Sequence, residues 1–198
     1  MRPGRAILTS LLFGLAGFAA QAQQNLPANG LLLIAKPGLA DPNFERTVVL
    51  VTQTEDAATV GVIINRPSKL KLSLFVSPDI PTQNYRDPVF LGGPVMRQVV
   101  IAVFRSDTVP QAPAFHVLKN IYLTLDPDNI EKLLADPAAR YRLYAGFSGW
   151  APDQLESEFT RDGWYFLPAD EATLFRDNTE NLWEELVERA IRAPRTRN

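Results

Sequence analysis

TVVLVTQTEDAATVGVIINRP, residues 47–67, decides how the chain folds. Val48 to Val51 is apolar at every position, and the β-branched residues around it favour extended backbone, so Thr47 to Thr54 reads as a central strand buried on both faces. Glu55 to Ala58 is a polar connection. Thr59 to Asn65 is a second strand, so the pair reads as a hairpin. Arg66-Pro67 closes it, because proline cannot donate to a ladder and holds its predecessor extended.

Before this hairpin, Leu31 to Ala35 reads as a buried strand closed by Lys36-Pro37-Gly38. Asp41-Pro42-Asn43-Phe44 leaves room for only one helical turn. After it, Leu70 to Phe75 fits either a strand or a helix, and Pro78 to Pro88 reads as a loop. Val89 to Val95 and Val99 to Phe104 read as a strand pair around Gly92-Gly93-Pro94. His116-Val117 and Ile121 to Leu125 are further strands.

A helix follows, with Asp126 as cap, Pro127 in its first position, Ile130, Leu133 and Leu134 on one face, and Pro137 as stop. Tyr141 to Phe147 reads as a strand that Gly149 breaks. Pro152 to Phe159 reads as a helix and Trp164 to Leu167 as a last strand. In the final helix Leu182, Trp183, Leu186, Val187, Ala190 and Ile191 recur at helical spacing, with Asp177 and Glu180 as a capping-box pair and Arg189 and Arg192 near its end. Strands dominate early and helices late, without regular alternation, which predicts one α+β domain rather than a doubly wound sheet.

The first 22 residues stand apart. Met1 to Arg5 is short and basic, Leu11 to Ala20 is apolar or glycine, and Ala20-Gln21-Ala22 supplies small residues for cleavage. The expectation is a signal peptide over residues 1–22, a mature domain over residues 23–198 starting at Gln23, and a periplasmic or secreted location. The leader carries Arg2 and Arg5 and no acid, so the mature chain has 20 − 2 = 18 basic residues against 22 acids. A net charge of −4 argues against a nucleic-acid partner, since phosphate binding needs clustered Lys and Arg. The one dense run, Arg189, Arg192, Arg195 and Arg197, reads as a solvated tail. No later stretch reaches the length of a membrane span.

The chain has no cysteine and one histidine. Disulfides, thiolate metal sites and cysteine nucleophiles are excluded, and a Ser-His-acid triad would have to use His116. Gly146-Phe147-Ser148-Gly149-Trp150 fails the nucleophile-elbow pattern, because Trp150 stands where G-x-S-x-G needs glycine. Ser148 therefore reads as a turn residue. His116, between Phe115 and Val117, reads as structural. Asp153, Glu156 and Glu158 form an acidic face that keeps an oxygen-ligand Ca²⁺ or Mg²⁺ site open as an alternative. Gly92-Gly93-Pro94 permits either an anion-binding backbone nest or a strained turn or bulge between two strands. Asn65 and Arg66 offer a fork for carboxylate or phosphate. Their alternative is internal, with Asn65 satisfying backbone groups and Arg66 paired to an acid such as Asp41 or Glu45.

Taken together, Leu32 to Val51, Gly61 to Pro67, Val89 to Val95, Tyr144 to Glu158, Gly163-Trp164 and Leu174 to Leu186 resemble, in order, the YqgE/AlgH family. The resemblance implies a single α+β domain with a mixed, branching sheet that includes a small closed barrel and is flanked by helices. It also implies a family without an established activity, whose members are often labelled transcriptional regulators, and it carries no catalytic residue. Two departures matter. Most relatives look cytoplasmic whereas this chain opens with a leader, and relatives commonly carry Ala at the Ser148 position and Gly at the Asp153 position. The expectation is an exported, non-enzymatic domain without cofactor or metal that binds a protein partner or a small anionic ligand near Asn65, Arg66, Gly92, Gly93, Gly149 and Trp150. The alternatives are a hydrolase using Ser148 or an acidic metal site, and a cytosolic regulator behind a spurious leader.

Overall fold

The computed structural model describes residues 30–54, 56–160 and 163–193. The expected leader and its expected cleavage point before Gln23, together with Arg195 and Arg197 of the basic run, lie outside them. Among these described residues nine strands form in chain order: β1 (Leu31–Ala35), β2 (Val48–Gln53), β3 (Thr59–Ile63), β4 (Phe90–Leu91), β5 (Val95–Arg105), β6 (Phe115–Leu118), β7 (Ile121–Thr124), β8 (Tyr141–Trp150) and β9 (Trp164–Pro168). The helices are α1 (Pro127–Ala135), α2 (Gln154–Thr160), α3 (Glu171–Leu174) and α4 (Leu182–Arg192).

The hairpin of residues 47–67 forms as expected, with Val49 opposite Ile63 and Gln53 opposite Thr59. β2 lies inside the sheet between β1 and β3, which is why Val48, Val49 and Leu50 have no exposed surface. The sheet order is β6-β7-β5-β8-β3-β2-β1-β9, and β4 branches onto β8. Every pairing along this path is antiparallel and the β4–β8 pairing is parallel, so the sheet is mixed.

The small closed barrel is not there: the sheet is open. Closure would require the two end strands, β6 and β9, to pair with each other, and among the described residues they do not. The curl brings β6 only as far as Gly30, whose N–H donates to Val117 O at 2.7 Å while its own carbonyl accepts from Ala169 N–H at 3.3 Å.

Three other expectations change. The Val89–Val95 and Val99–Phe104 segments do not pair with each other. β4 instead runs parallel to β8, and β5 pairs with β7 and β8. Nor does Gly149 break β8, because it stays in the ladder opposite Val60. Asp177 and Glu180 form no capping box, since α4 begins at Leu182 with Asn181 as N-cap, and Glu180 N–H is taken by Asn178 Oδ1 at 2.8 Å. The charge pattern of α4 holds, with Glu184 and Glu185 in its first turn and Arg189 and Arg192 in its last.

α1 is built as its sequence dictates. Asp126 accepts from the Asp128 and Asn129 N–H groups, Pro127 opens the helix, and Ile130, Leu133 and Leu134 are buried. The undecided Leu70–Phe75 segment holds one 3₁₀ turn at Leu72–Leu74. Packing divides among three apolar clusters. α4 lays Leu182, Trp183, Leu186 and Val187 on the face carrying Leu32, Ile34, Val48 and Leu50, a burial worth about 2 kcal/mol per side chain before entropy is counted. α1 covers Val100, Ala102, Leu143 and Ala145. The third cluster, on the opposite face of β1 and β2, gathers Leu33, Val49, Ile63, Leu155 and the two tryptophans Trp150 and Trp164.

Candidate functional site

The expected site residues meet where β3, β4 and β8 adjoin. Asn65 follows β3, and its Oδ1 accepts from Val48 N–H at 2.9 Å while its Nδ2 donates to Arg46 O at 2.9 Å. Arg66 donates to Asn43 O at 2.6 Å and to Glu45 O at 3.0 Å. Both side chains therefore hold the turn between β1 and β2. Of the internal alternatives, Arg66 serves backbone carbonyls and not the carboxylates of Asp41 or Glu45, although those charges lie near enough to oppose the lowering of its pKa by burial. An arginine remains protonated throughout.

Gly92 and Gly93 bring β4 against β8. Gly92 N–H donates to Ala145 O at 2.9 Å, and Gly92 O accepts from Ile63 N–H at 2.8 Å. A Cβ on Gly92 would lie 2.2 Å from Gly146 O, and one on Gly93 would lie 2.2 Å from Phe147 O. The glycines are required by this close approach of strands. Gly149 is different: it is exposed, and a Cβ there would meet nothing nearer than the Phe147 ring at 3.4 Å.

Trp150 turns inward. Its indole N–H donates to Glu158 Oε2 at 3.1 Å, and Trp164 donates to the same oxygen at 3.1 Å. Phe44 stacks on Trp150 at 5.7 Å and meets Trp164 edge-on at 5.5 Å. Since Phe44 belongs to the turn held by Asn65 and Arg66, the aromatic cluster and the polar clasp form one unit. Sequence reasoning missed the role of Glu158, which it grouped with Asp153 and Glu156. The available signal was a carboxylate among tryptophans whose N–H groups need acceptors once buried.

Nucleophile and base are not brought together. Ser148 is fully buried in β8 and its Oγ donates to Gly92 O at 3.3 Å. His116 sits on β6, beyond β5 and β7 from β8, with Nε2 2.6 Å from Lys119 O and its ring stacked on Tyr122 at 5.0 Å. Among the described residues, no three His, Cys, Asp or Glu side chains are placed to hold a metal ion. No helix among them is long and apolar enough to cross a membrane.

Fold and junction together define a single α+β domain built on an open, mixed, branched sheet whose motif residues hold its own turns. The chain belongs to the AlgH-like (DUF179) family, whose model matches residues 32–194. A UPF0301 protein of Ruegeria pomeroyi is 34% identical over 160 residues, covering 78% of this chain and 87% of its own. A UPF0301 protein of Thermobifida fusca is 34% identical over 173 residues, covering 83% and 87%. The solution structure of the AlgH protein from Pseudomonas aeruginosa is similar with a TM-score of 0.67 at 25% identity, covering 88% of this chain and 94% of that one.

Proposed function

We propose that this chain is an exported, non-enzymatic binding domain that engages a protein partner at the β3–β4–β8 junction. The observation that carries this reading is the exposed Gly149 of β8 near apolar side chains of β5. β5 pairs with β8 from Tyr141 up to Phe147 and β3 pairs with Ser148, Gly149 and Trp150, of which Ser148 and Trp150 are buried and Gly149 is exposed. The first residues of β5, Val95 and Met96, are each 37% exposed. An exposed strand position without a side chain, close to exposed apolar side chains, suits contact with a partner protein. Asn65, Arg66, Gly92, Gly93 and Trp150 support this surface from behind. Because Arg66 spends its fork on two carbonyls, the junction favours a protein over a small anion.

Gly149→Arg tests the surface without breaking the fold, since the position has room for a side chain. Arg66→Ala would not be a clean probe, because it releases the turn at residues 43–46. Affinity capture from periplasmic extract by the mature protein should recover a partner that Gly149→Arg loses, with both proteins equally stable. Equal capture by the two would sink the reading. For export, cell fractionation with N-terminal mass analysis should find a chain starting at Gln23 outside the cytosol. An intact Met1 terminus in the cytosol would refute it and leave the regulator alternative.

A further inference from the structure

From Ala57 to Pro78, through β3 and into the connection to β4, the chain carries no acid, although its net charge is −4 from Gln23 onward. The cations of this stretch are Arg66, Lys69 and Lys71. Arg66 is spent on the carbonyls of Asn43 and Glu45. Lys69 and Lys71 are exposed, and among the described residues neither meets a carboxylate. They alternate with leucines in Ser68-Lys69-Leu70-Lys71-Leu72-Ser73-Leu74.

The fold fixes this loop from both ends. Ser68 N–H and Ser68 Oγ donate to Val89 O at 3.0 Å and 2.6 Å, and the same Oγ accepts from Leu70 N–H at 3.1 Å. In the 3₁₀ turn that follows, Leu74 N–H donates to Lys71 O at 3.0 Å and Phe75 N–H to Leu72 O at 2.9 Å. Leu72 enters the apolar cluster that holds Val89, Leu134 and Leu143. Leu70 and Leu74 stay outside it, 41% and 69% exposed. A single exposed leucine is ordinary on a protein surface. Here two of them share one anchored loop with two unpaired ammonium groups.

We propose that this loop docks the protein on an anionic lipid bilayer, with Leu70 and Leu74 entering the boundary of the acyl chains and Lys69 and Lys71 set against lipid phosphates. Charge selects the orientation, because an acidic chain is repelled by an anionic surface on its acidic sides and approaches it by an acid-free one. Composition selects the occupant. Protein interfaces concentrate their binding energy in Trp, Tyr and Arg, and they are poor in lysine. A bilayer takes leucines that partition into it and lysines whose long stems carry the charge back to the phosphate level. Lysine is also a point charge, suited to a phosphate layer of no fixed geometry, where a carboxylate of fixed geometry favours the fork of arginine. The loop shares no residue with the partner surface at Gly149, Val95 and Met96, and docking here does not depend on that reading.

Co-sedimentation at low salt tests this with vesicles of phosphatidylcholine alone and of equal parts phosphatidylcholine and phosphatidylglycerol, using the chain from Gln23 so that the apolar Leu11–Ala20 stretch takes no part. The wild type should sediment with the anionic vesicles, far less with the neutral ones, and should be released by high salt. Lys69→Gln with Lys71→Gln should weaken partitioning about thirtyfold, and Leu70→Ser with Leu74→Ser at least about tenfold, with urea stability unchanged in both. Lys119→Gln with Lys132→Gln removes two exposed cations from other parts of the surface and should weaken it far less. No sedimentation with either vesicle, equal sedimentation with both, or an equal loss from the Lys119 and Lys132 pair would overturn the proposal. Binding of soluble poly-glutamate without binding of vesicles would overturn it too, in favour of an acidic protein.

Discussion

Replacing Asn65 by alanine should loosen the turn that joins β1 to β2, and the size of the effect follows from two hydrogen bonds. Val48 has no exposed surface, so losing Asn65 Oδ1 leaves its N–H buried and unpaired, a cost of about 1–3 kcal/mol. Loss of the bond from Nδ2 to Arg46 O adds about 1 kcal/mol, the net worth of an ordinary hydrogen bond. The sum is about 2–4 kcal/mol, or a fall in midpoint of roughly 5–12 °C for a domain of this size. Urea unfolding followed by tryptophan fluorescence measures it, since Trp150 and Trp164 pack on Phe44 in the same turn. Asn65→Asp separates the two bonds: it keeps an acceptor for Val48 and loses the donor to Arg46, so it should fall between wild type and Asn65→Ala. A change under about 0.5 kcal/mol for Asn65→Ala, the range of an ordinary surface substitution, would refute the reasoning.

Three further outcomes follow from the same geometry. Gly92→Ala should cost more than about 3 kcal/mol or prevent folding, because its Cβ would press on backbone, whereas Gly149→Ala should change urea stability by less than about 0.5 kcal/mol. Tyr144→Phe should stabilise the protein by about 1 kcal/mol in the same assay, because the Tyr144 hydroxyl is fully buried without a partner among the described residues and the ring is retained. Glu185 bonds Arg176, which lowers its carboxyl pKa. A lowered folded-state value means stability present above the ordinary carboxylate range and lost as pH falls through the folded value. Glu185→Gln should therefore flatten the acid side of a melting-temperature profile, and the difference should shrink in high salt because the pair is exposed.

The local signals were legible in the sequence and the long-range ones were not. The β-branched run at Val48, the Asp126-Pro127 start of α1 and the helical stripe of α4 each state their structure within a few residues. The parallel pairing of Phe90 and Leu91 with Tyr144 and Ala145 has no such signature. Gly92-Gly93-Pro94 therefore reads as a turn between neighbouring strands, while the glycines serve contact with β8 some fifty residues later. The candidate site was half legible for a related reason. Asn65 and Arg66 are marked as polar groups ending a strand, but whether such groups face a ligand or the protein depends on the turn at Asp41–Arg46, whose carbonyls no pattern announces. Arg142 stands out in Tyr-Arg-Leu-Tyr as a cation inside an apolar strand, and the carbonyls of Leu174 and Arg176 that receive it explain why it is tolerated.

The place of β1 has a consequence for the order in which the chain can assemble. One neighbour, β2, is made almost at once, but the other, β9, arrives only after about 130 further residues, the kind of separation that slows folding. The bond from the Trp183 indole to Ala35 O spans 148 positions. Until the last quarter of the polypeptide exists, a fully apolar strand stands with one bare edge. The nascent chain therefore stays incomplete through nearly all of its synthesis, open to chaperones and to mispairing with another copy of itself, and settles only when its end has been made.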